Sequence, residues 1–153
     1  MAGALYLIDS NVVLRWVQPS DPDYSAVASA LETLAERGDI LCYTSQNLAE
    51  FWNTCTRPTN RNGYGLSPSQ TDRRAEAFES RLRLLPDGLA VHNEWRRLLV
   101  QHNVSGVQVH DARLVAAMHV HGVKHILTFN EKDFARYSDI EAIHPRTLVA
   151  IQP

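Results

Sequence analysis

Asp9, Glu50, Asp111 and the pair Asn130 and Asp133 are far apart in this 153-residue chain, yet each lies at the edge of an apolar segment. Carboxylates do not normally collect at the ends of buried strands. Two brought close together at intermediate dielectric repel by about 4 kcal/mol, and a divalent cation is the usual remedy. The pattern therefore points to a metal-dependent site. Hard oxygen donors favour Mg2+ or Mn2+ over zinc. Ions held this way typically handle phosphate esters: they activate a water, bridge the phosphate and stabilise the leaving oxygen. The chain has no glycine-rich phosphate loop with its lysine, which argues against nucleotide-driven chemistry.

These residues need elements to position them. Residues 4–8 form a short, unbroken apolar run ending at Asp9, as expected of a parallel strand buried on both faces. A short helix is predicted over 11–17 and a longer one over 24–37, with Val27, Leu31 and Leu34 on one face and Gly38 as its stop. Residues 40–43 read as a second strand. Thr44 or Ser45 caps the next helix, which carries Glu50 early and buries Leu48, Phe51 and Trp52. Residues 58–67 are a loop by composition, long enough to suggest a functional or interface role. Pro68 opens a helix behind Ser67 as cap, reaching about residue 80.

Further along, a strand is expected at 82–85 and a helix at 91–102 with Trp95, Leu98 and Leu99 on its core side, then a linker at 104–109. Residues 111–121 read as a strongly amphipathic helix stopped by Gly122. A strand at 125–129, a polar turn or short helix at 130–137 and an edge strand at 140–143 complete the chain, with Pro145 beyond. The alternation predicts an α/β fold of three layers, α/β/α, around a central, mostly parallel twisted sheet. In such a sheet, sites form beyond the carboxyl ends of the strands. Asp9, Asn130 and Asp133 follow strands. Glu50 and Asp111 are placed in first helical turns, whose positive dipole ends tolerate carboxylates.

The bulk composition sets bounds. The length fits one domain over 1–153, and 44% hydrophobic with 21% charged residues is ordinary for a soluble protein. A net charge of -2 does not make a strong electrostatic nucleic-acid binder, but it allows an enzyme with a local basic rim. Cys42 and Cys55 sit in apolar contexts, read as buried thiols and not as a zinc pair. The N-terminal stretch lacks a basic region, and its apolar run is too short to span a bilayer, so a cytoplasmic location is expected.

Four motifs in order then resemble those of a PIN domain. They are Leu7-Ile8-Asp9-Ser10-Asn11, the run from Ser45 through Glu50 to Asn53, Val109-His110-Asp111-Ala112-Arg113, and Leu127-Thr128-Phe129-Asn130-Glu131-Lys132-Asp133-Phe134. The chain is most similar to the VapC-type ribonuclease toxins of bacterial toxin–antitoxin pairs, over nearly its whole length. The resemblance implies an endoribonuclease dependent on Mg2+ or Mn2+. It implies Asp9, Glu50 and Asp111 as metal-binding acids, with Asn11 and Thr128 as polar supports. Many members carry Asp where this chain has Asn130, so Asp133 is read as supplying the missing charge. A homodimer and a cognate antitoxin protein entering the active-site groove are also implied. Arg57, Arg61 and Tyr64, in and beside the long loop, are the candidate RNA contacts.

Taken singly, each residue has a plainer reading. Asp9 can cap a helix, Glu50 can be a solvated helix residue, Asp111 an N-terminal helix acid and Asp133 a turn residue. His110, His119, His121 and His125 lack convergent zinc spacing and read as surface or capping residues. Two other functions remain open. A phosphohydrolase of the haloacid-dehalogenase type would use Asp9 as nucleophile, but it wants a second Asp where Asn11 stands, and Lys124 and Lys132 are poorly placed. A PIN-like scaffold that binds RNA or a partner without cutting is motivated by the neutral Asn130.

Overall fold

The computed structural model describes residues 3–151. Met1, Ala2, Gln152 and Pro153, which the single-domain expectation includes, lie outside the described residues. Five strands form one sheet: β1 (Leu5–Ile8), β2 (Ile40–Thr44), β3 (Arg83–Leu85), β4 (His125–Leu127) and β5 (Glu141–Ile143). Their order is β3-β2-β1-β4-β5, and every pairing is parallel. The helices are α1 (Ser10–Trp16), α2 (Tyr24–Glu36), α3 (Ser45–Thr56), α4 (Pro68–Glu79), α5 (Leu89–Gln101), α6 (Gln108–His121) and α7 (Pro145–Ile151).

Strand periodicity divides the core in two. Tyr6, Ile8, Tyr43 and Leu127 face a cluster built from α1, α2, α3, α4 and α7. Leu7, Cys42, Leu85 and Ile126 face the opposite cluster, built largely from α5 and α6. Apolar residues on both faces explain why these strands read as unbroken runs instead of alternating. Phe51 and Phe78 anchor the first cluster edge to face, with ring centroids 5.0 Å apart. Truncating either buried ring to alanine is expected to cost about 3–5 kcal/mol.

Crossovers run from β1 out to β3 along one face and return to β4 along the other. The chain therefore changes direction between β1 and β4, and such a switch opens a crevice at the strands' carboxyl ends. Asp9 N donates to Leu127 O at 3.0 Å, and Thr128 N donates to Ile143 O at 3.0 Å, so the strand ends at this crevice are tied together.

Local chemistry sets the helix ends. Thr44 and Asn47 form a reciprocal capping box at α3, and Ser67 with Gln70 does the same at α4. Gly122 ends α6 at φ 71°, a left-handed cap suited to glycine. The loop after α3 is pinned: Tyr64 N donates to Thr54 O and Leu66 N to Cys55 O, and both side chains pack on the core. A Cβ on Gly63 would lie 2.0 Å from Arg57 O, so only glycine fits there.

Five expectations change. α6 is not amphipathic: Leu114, Val115, Ala116, Ala117 and Met118 are all buried, because α6 is wedged between the sheet and α5. α6 also starts at Gln108, shortening the linker. The segment after β4 is a 3-10 turn at Glu131–Phe134 that buries Phe134 and Tyr137, so it is not purely polar. Pro145 does not end the chain's structure; it opens α7, which packs on α2. Glu50 is the sixth residue of α3, one turn later than expected, because the helix follows β2 with no intervening loop. The helix dipole acts over the first turn and does not explain this acid.

Candidate active site

Asp9 is the residue at which β1 becomes α1. It has extended backbone angles, and its carbonyl accepts the N–H groups of Val12 and Val13, as a helix cap should. Asp9 as a whole is 6% exposed. Oδ1 accepts from Ser10 N at 2.8 Å, and Oδ2 accepts from Thr128 Oγ1 at 2.8 Å and more weakly from Asn11 Nδ2 at 3.5 Å. Asn11 also accepts from Phe129 N through Oδ1 at 3.2 Å, and Thr128 accepts from Asn130 N at 3.0 Å. One small network thus joins the ends of β1 and β4 around a single buried acid.

Glu50 reaches this network through its neighbour. Ser10 Oγ donates to Glu50 Oε2 at 2.7 Å, and Gln46 Nε2 donates to Glu50 Oε1 at 2.8 Å. The same Gln46 nitrogen donates to His110 O at 2.8 Å, which links α3 to the first turn of α6, where Asp111 sits. A cleft of about 730 Å3 lies between α3 and α6, lined among others by Gln46, Ala49, Glu50, His110, Asp111 and Arg113.

The acids sense one another. Burial pushes the Asp9 carboxyl up to about 7, with the charges of Glu50 and Asp111 adding to the rise and Thr128 and Ser10 opposing it. Burial likewise lifts Asp111 to about 6, helped by the charges of Asp133 and Glu50 and opposed by Arg136. Acids raised this way at a crevice mark functional sites more often than structural ones. The donor chemistry suits a hard divalent cation: carboxylates from separate elements crowd one another at the crevice. Among the described residues, no three His, Cys, Asp or Glu side chains close into a ready metal cage.

The remaining candidates are placed unevenly. Asp133 is exposed in the turn after β4 and acts on Asp111 by charge. Asn130 is exposed and enters the network through its backbone N–H. Arg57 is spent on its own loop, donating from Nη2 to Asn62 O at 3.1 Å. Tyr64 packs against the core, and Arg61 is exposed. None of these three lines the acidic cleft. Sequence reasoning missed Ser10 and Gln46 as partners of Glu50. The signal for Gln46 was its position one helical turn before an acid, where side chains meet.

An α/β sheet with acids converging at its switch point defines a class of site before any relative is considered. A sequence model of the PIN domain family matches residues 6–140, and the chain belongs to that family. No curated protein sequence matches the chain closely enough to count. Solved structures with the same fold include VapBC2 from Rickettsia felis bound to a DNA fragment from its promoter, at 18% identity and a TM-score of 0.68, covering 92% of this chain and 98% of that one. VapC20 of Mycobacterium tuberculosis, described as a sarcin-ricin loop cleaving toxin, has 16% identity and a TM-score of 0.65, covering 86% and 95%. DNA-bound VapBC from Salmonella typhimurium has 17% identity and a TM-score of 0.67, covering 95% and 99%.

Proposed function

We propose that this chain is a metal-dependent endoribonuclease, hydrolysing phosphodiester bonds in RNA, and the toxin of a type II toxin–antitoxin pair. One observation carries the reading: Asp9, Glu50, Asp111 and Asp133 come from four separate elements, and their charges act on each other at one crevice. Membership of the PIN family and the toxin–antitoxin character of its structural neighbours support it.

Asp9, Glu50, Asp111 and Asp133, with the oxygen of Asn130, would hold Mg2+ or Mn2+. Such an ion, when bound, supplies charge against the phosphate and a more acidic water. The chain's own residues do the rest. Thr128, Asn11 and the Ser10 amide keep Asp9 in one orientation, while Ser10 Oγ and Gln46 fix the two oxygens of Glu50. The cleft between α3 and α6 admits a strand of RNA beside Glu50 and Asp111, and Arg61, outside the cleft, offers an exposed charge to RNA that runs beyond it. The protein works in the cytoplasm as a homodimer restrained by a small antitoxin. No described helix is long and apolar enough to cross a membrane.

The test is cleavage of a single-stranded RNA with Mg2+ or Mn2+, against a chelator control. Asp9→Asn and Asp111→Asn are expected to abolish cleavage while the far-ultraviolet circular dichroism stays unchanged. Full cleavage by either variant overturns the reading. A second reading, a PIN-like scaffold that binds without cutting, is favoured by the neutral, exposed Asn130 and the lack of a closed acid cage among the described residues. Absence of Mn2+ binding by the wild-type protein in calorimetry would decide for the scaffold.

A further inference from the structure

Gln46 is 8% exposed and sits at the contact between α3 and the start of α6. Its Nε2 has two partners, Glu50 Oε1 and His110 O, each at 2.8 Å, and both are acceptors. The amide orientation is therefore fixed, since a flipped group would set its oxygen against two other oxygens. The consequence is that Oε1 is buried with no hydrogen-bond partner. A methionine would fill the same space without stranding an acceptor. The two donated bonds are what an apolar side chain could not supply.

Those bonds reach specific places. His110 immediately precedes Asp111, and the other oxygen of Glu50 is held by Ser10, which immediately follows Asp9. Glu50 is thus fixed from both sides through neighbours of the two other acids. We infer that Gln46 is a positioning residue: acting through Glu50 and the His110 carbonyl, it sets the spacing of the α3 and α6 carboxylates for a divalent cation. It does not itself hold the ion. The inference rests on the nuclease reading given above. Hydrogen-bonding partners one step behind metal ligands are known to change metal affinity by about 10–100-fold when removed.

The experiment is calorimetric titration of the full chain with MnCl2 alone, on wild type, Gln46→Met, Glu50→Gln and the double variant, each with a melting curve. Gln46→Met is expected to weaken Mn2+ binding at least about tenfold, at a melting temperature within a few degrees of wild type. In the Glu50→Gln background the same change is expected to weaken binding by a clearly smaller factor than in wild type, because the Glu50 carboxylate is gone and only the contact to His110 remains to be lost. A general packing defect would weaken both backgrounds alike. If Gln46→Met fails to fold, Gln46→Asn keeps the amide but is too short to reach both acceptors, and is expected to show the same loss. Unchanged affinity in Gln46→Met or Gln46→Asn, or an equal loss in both backgrounds, overturns the inference alone. Wild-type protein that binds no Mn2+ overturns the nuclease reading and this inference with it.

Discussion

Glu94 on α5 and Asp9 at the end of β1 are both carboxylates set among charged groups, and their surroundings push them in opposite directions. Glu94 is met by the Arg97 guanidinium, with N–O distances of 2.7 Å to each of its oxygens, and by His119 at 2.6 Å. The hydrogen bonds from Arg97, ahead of those from His119, hold it down at about 2. His119 also reaches Asp139 at 2.8 Å, so α5, α6 and the turn before β5 are joined in one compensated cluster. Asp9 has hydroxyl and amide donors but other acids as its charged neighbours, and it rises to about 7. The fold supplies cations to the acids that hold it together. At the crevice Asp9 meets only neutral donors and Asp111 only a partial offset from Arg136, so a bound cation would supply the compensating charge there.

The largest effect expected from this difference is ligand stabilisation. With Mn2+ at about 100 times its dissociation constant, unfolding should become about 2.7 kcal/mol harder. Melting curves with and without Mn2+ should show the rise in wild type and in Glu94→Ala, and its loss in Asp111→Asn. A rise that survives Asp111→Asn would break the comparison by placing the ion elsewhere.

Next in size is the cost of removing a compensated acid. Glu94→Ala should destabilise the fold by about 1–3 kcal/mol, since it leaves Arg97 and His119 without their shared acceptor. It should leave RNA cleavage unchanged, because the cluster lies on a surface lined by Ala90, Asn93 and Val120, away from the acidic cleft. Urea unfolding and a cleavage assay on one preparation check both halves.

Asp9 should behave in the reverse sense. Its folded value lies above the unfolded one, so the folded state binds its proton more tightly. Stability should therefore fall as pH rises from about 4 to about 7, with Asp111 adding to the fall between about 4 and about 6. Glu94 contributes stability above its unfolded value, which is lost only as the pH drops below about 4 toward 2. In chelator, the melting temperature should peak near pH 4–5. Asp9→Asn should raise stability at about pH 8 by about 1–2 kcal/mol, less than the full shift at about 1.4 kcal/mol per unit, because hydrogen bonds to the carboxylate are lost. A variant no more stable than wild type at that pH would mean that Asp9 carries no stored repulsion.

The sequence made the frame of this crevice legible and left its wiring hidden. Strands buried on both faces show as apolar runs, and an acid at the end of such a run, as with Asp9, is conspicuous. Tertiary facts were less visible. α6 looked amphipathic because charged residues flank its ends, but the sheet and α5 enclose its middle. Pro145 was placed only as a residue beyond the last strand, although proline is at home in the first helical position, where its missing N–H costs nothing. The bonds of Glu50 to Ser10 and of Gln46 to His110 join residues 40 and 64 positions apart, and no local pattern announces them.

The smallest effect concerns the fourth corner of the site. Asn130 precedes the 3-10 turn with its side chain exposed, and only its backbone N–H is committed, to Thr128. Asn130→Asp should therefore fold normally, since Asp and Asn serve equally well ahead of a helical turn. The added charge faces solvent, so its interaction with the other acids is screened to about 1 kcal/mol or less. Mn2+ binding should tighten by less than about tenfold, with a slight loss of stability in chelator. Asp133 already acts on Asp111 more strongly than Glu50 does, so Asp133→Asn should weaken Mn2+ binding by a similar factor. Measured together, the two variants locate the missing charge. Unchanged binding in Asn130→Asp with a loss in Asp133→Asn assigns the corner to Asp133, and the reverse pattern returns it to position 130.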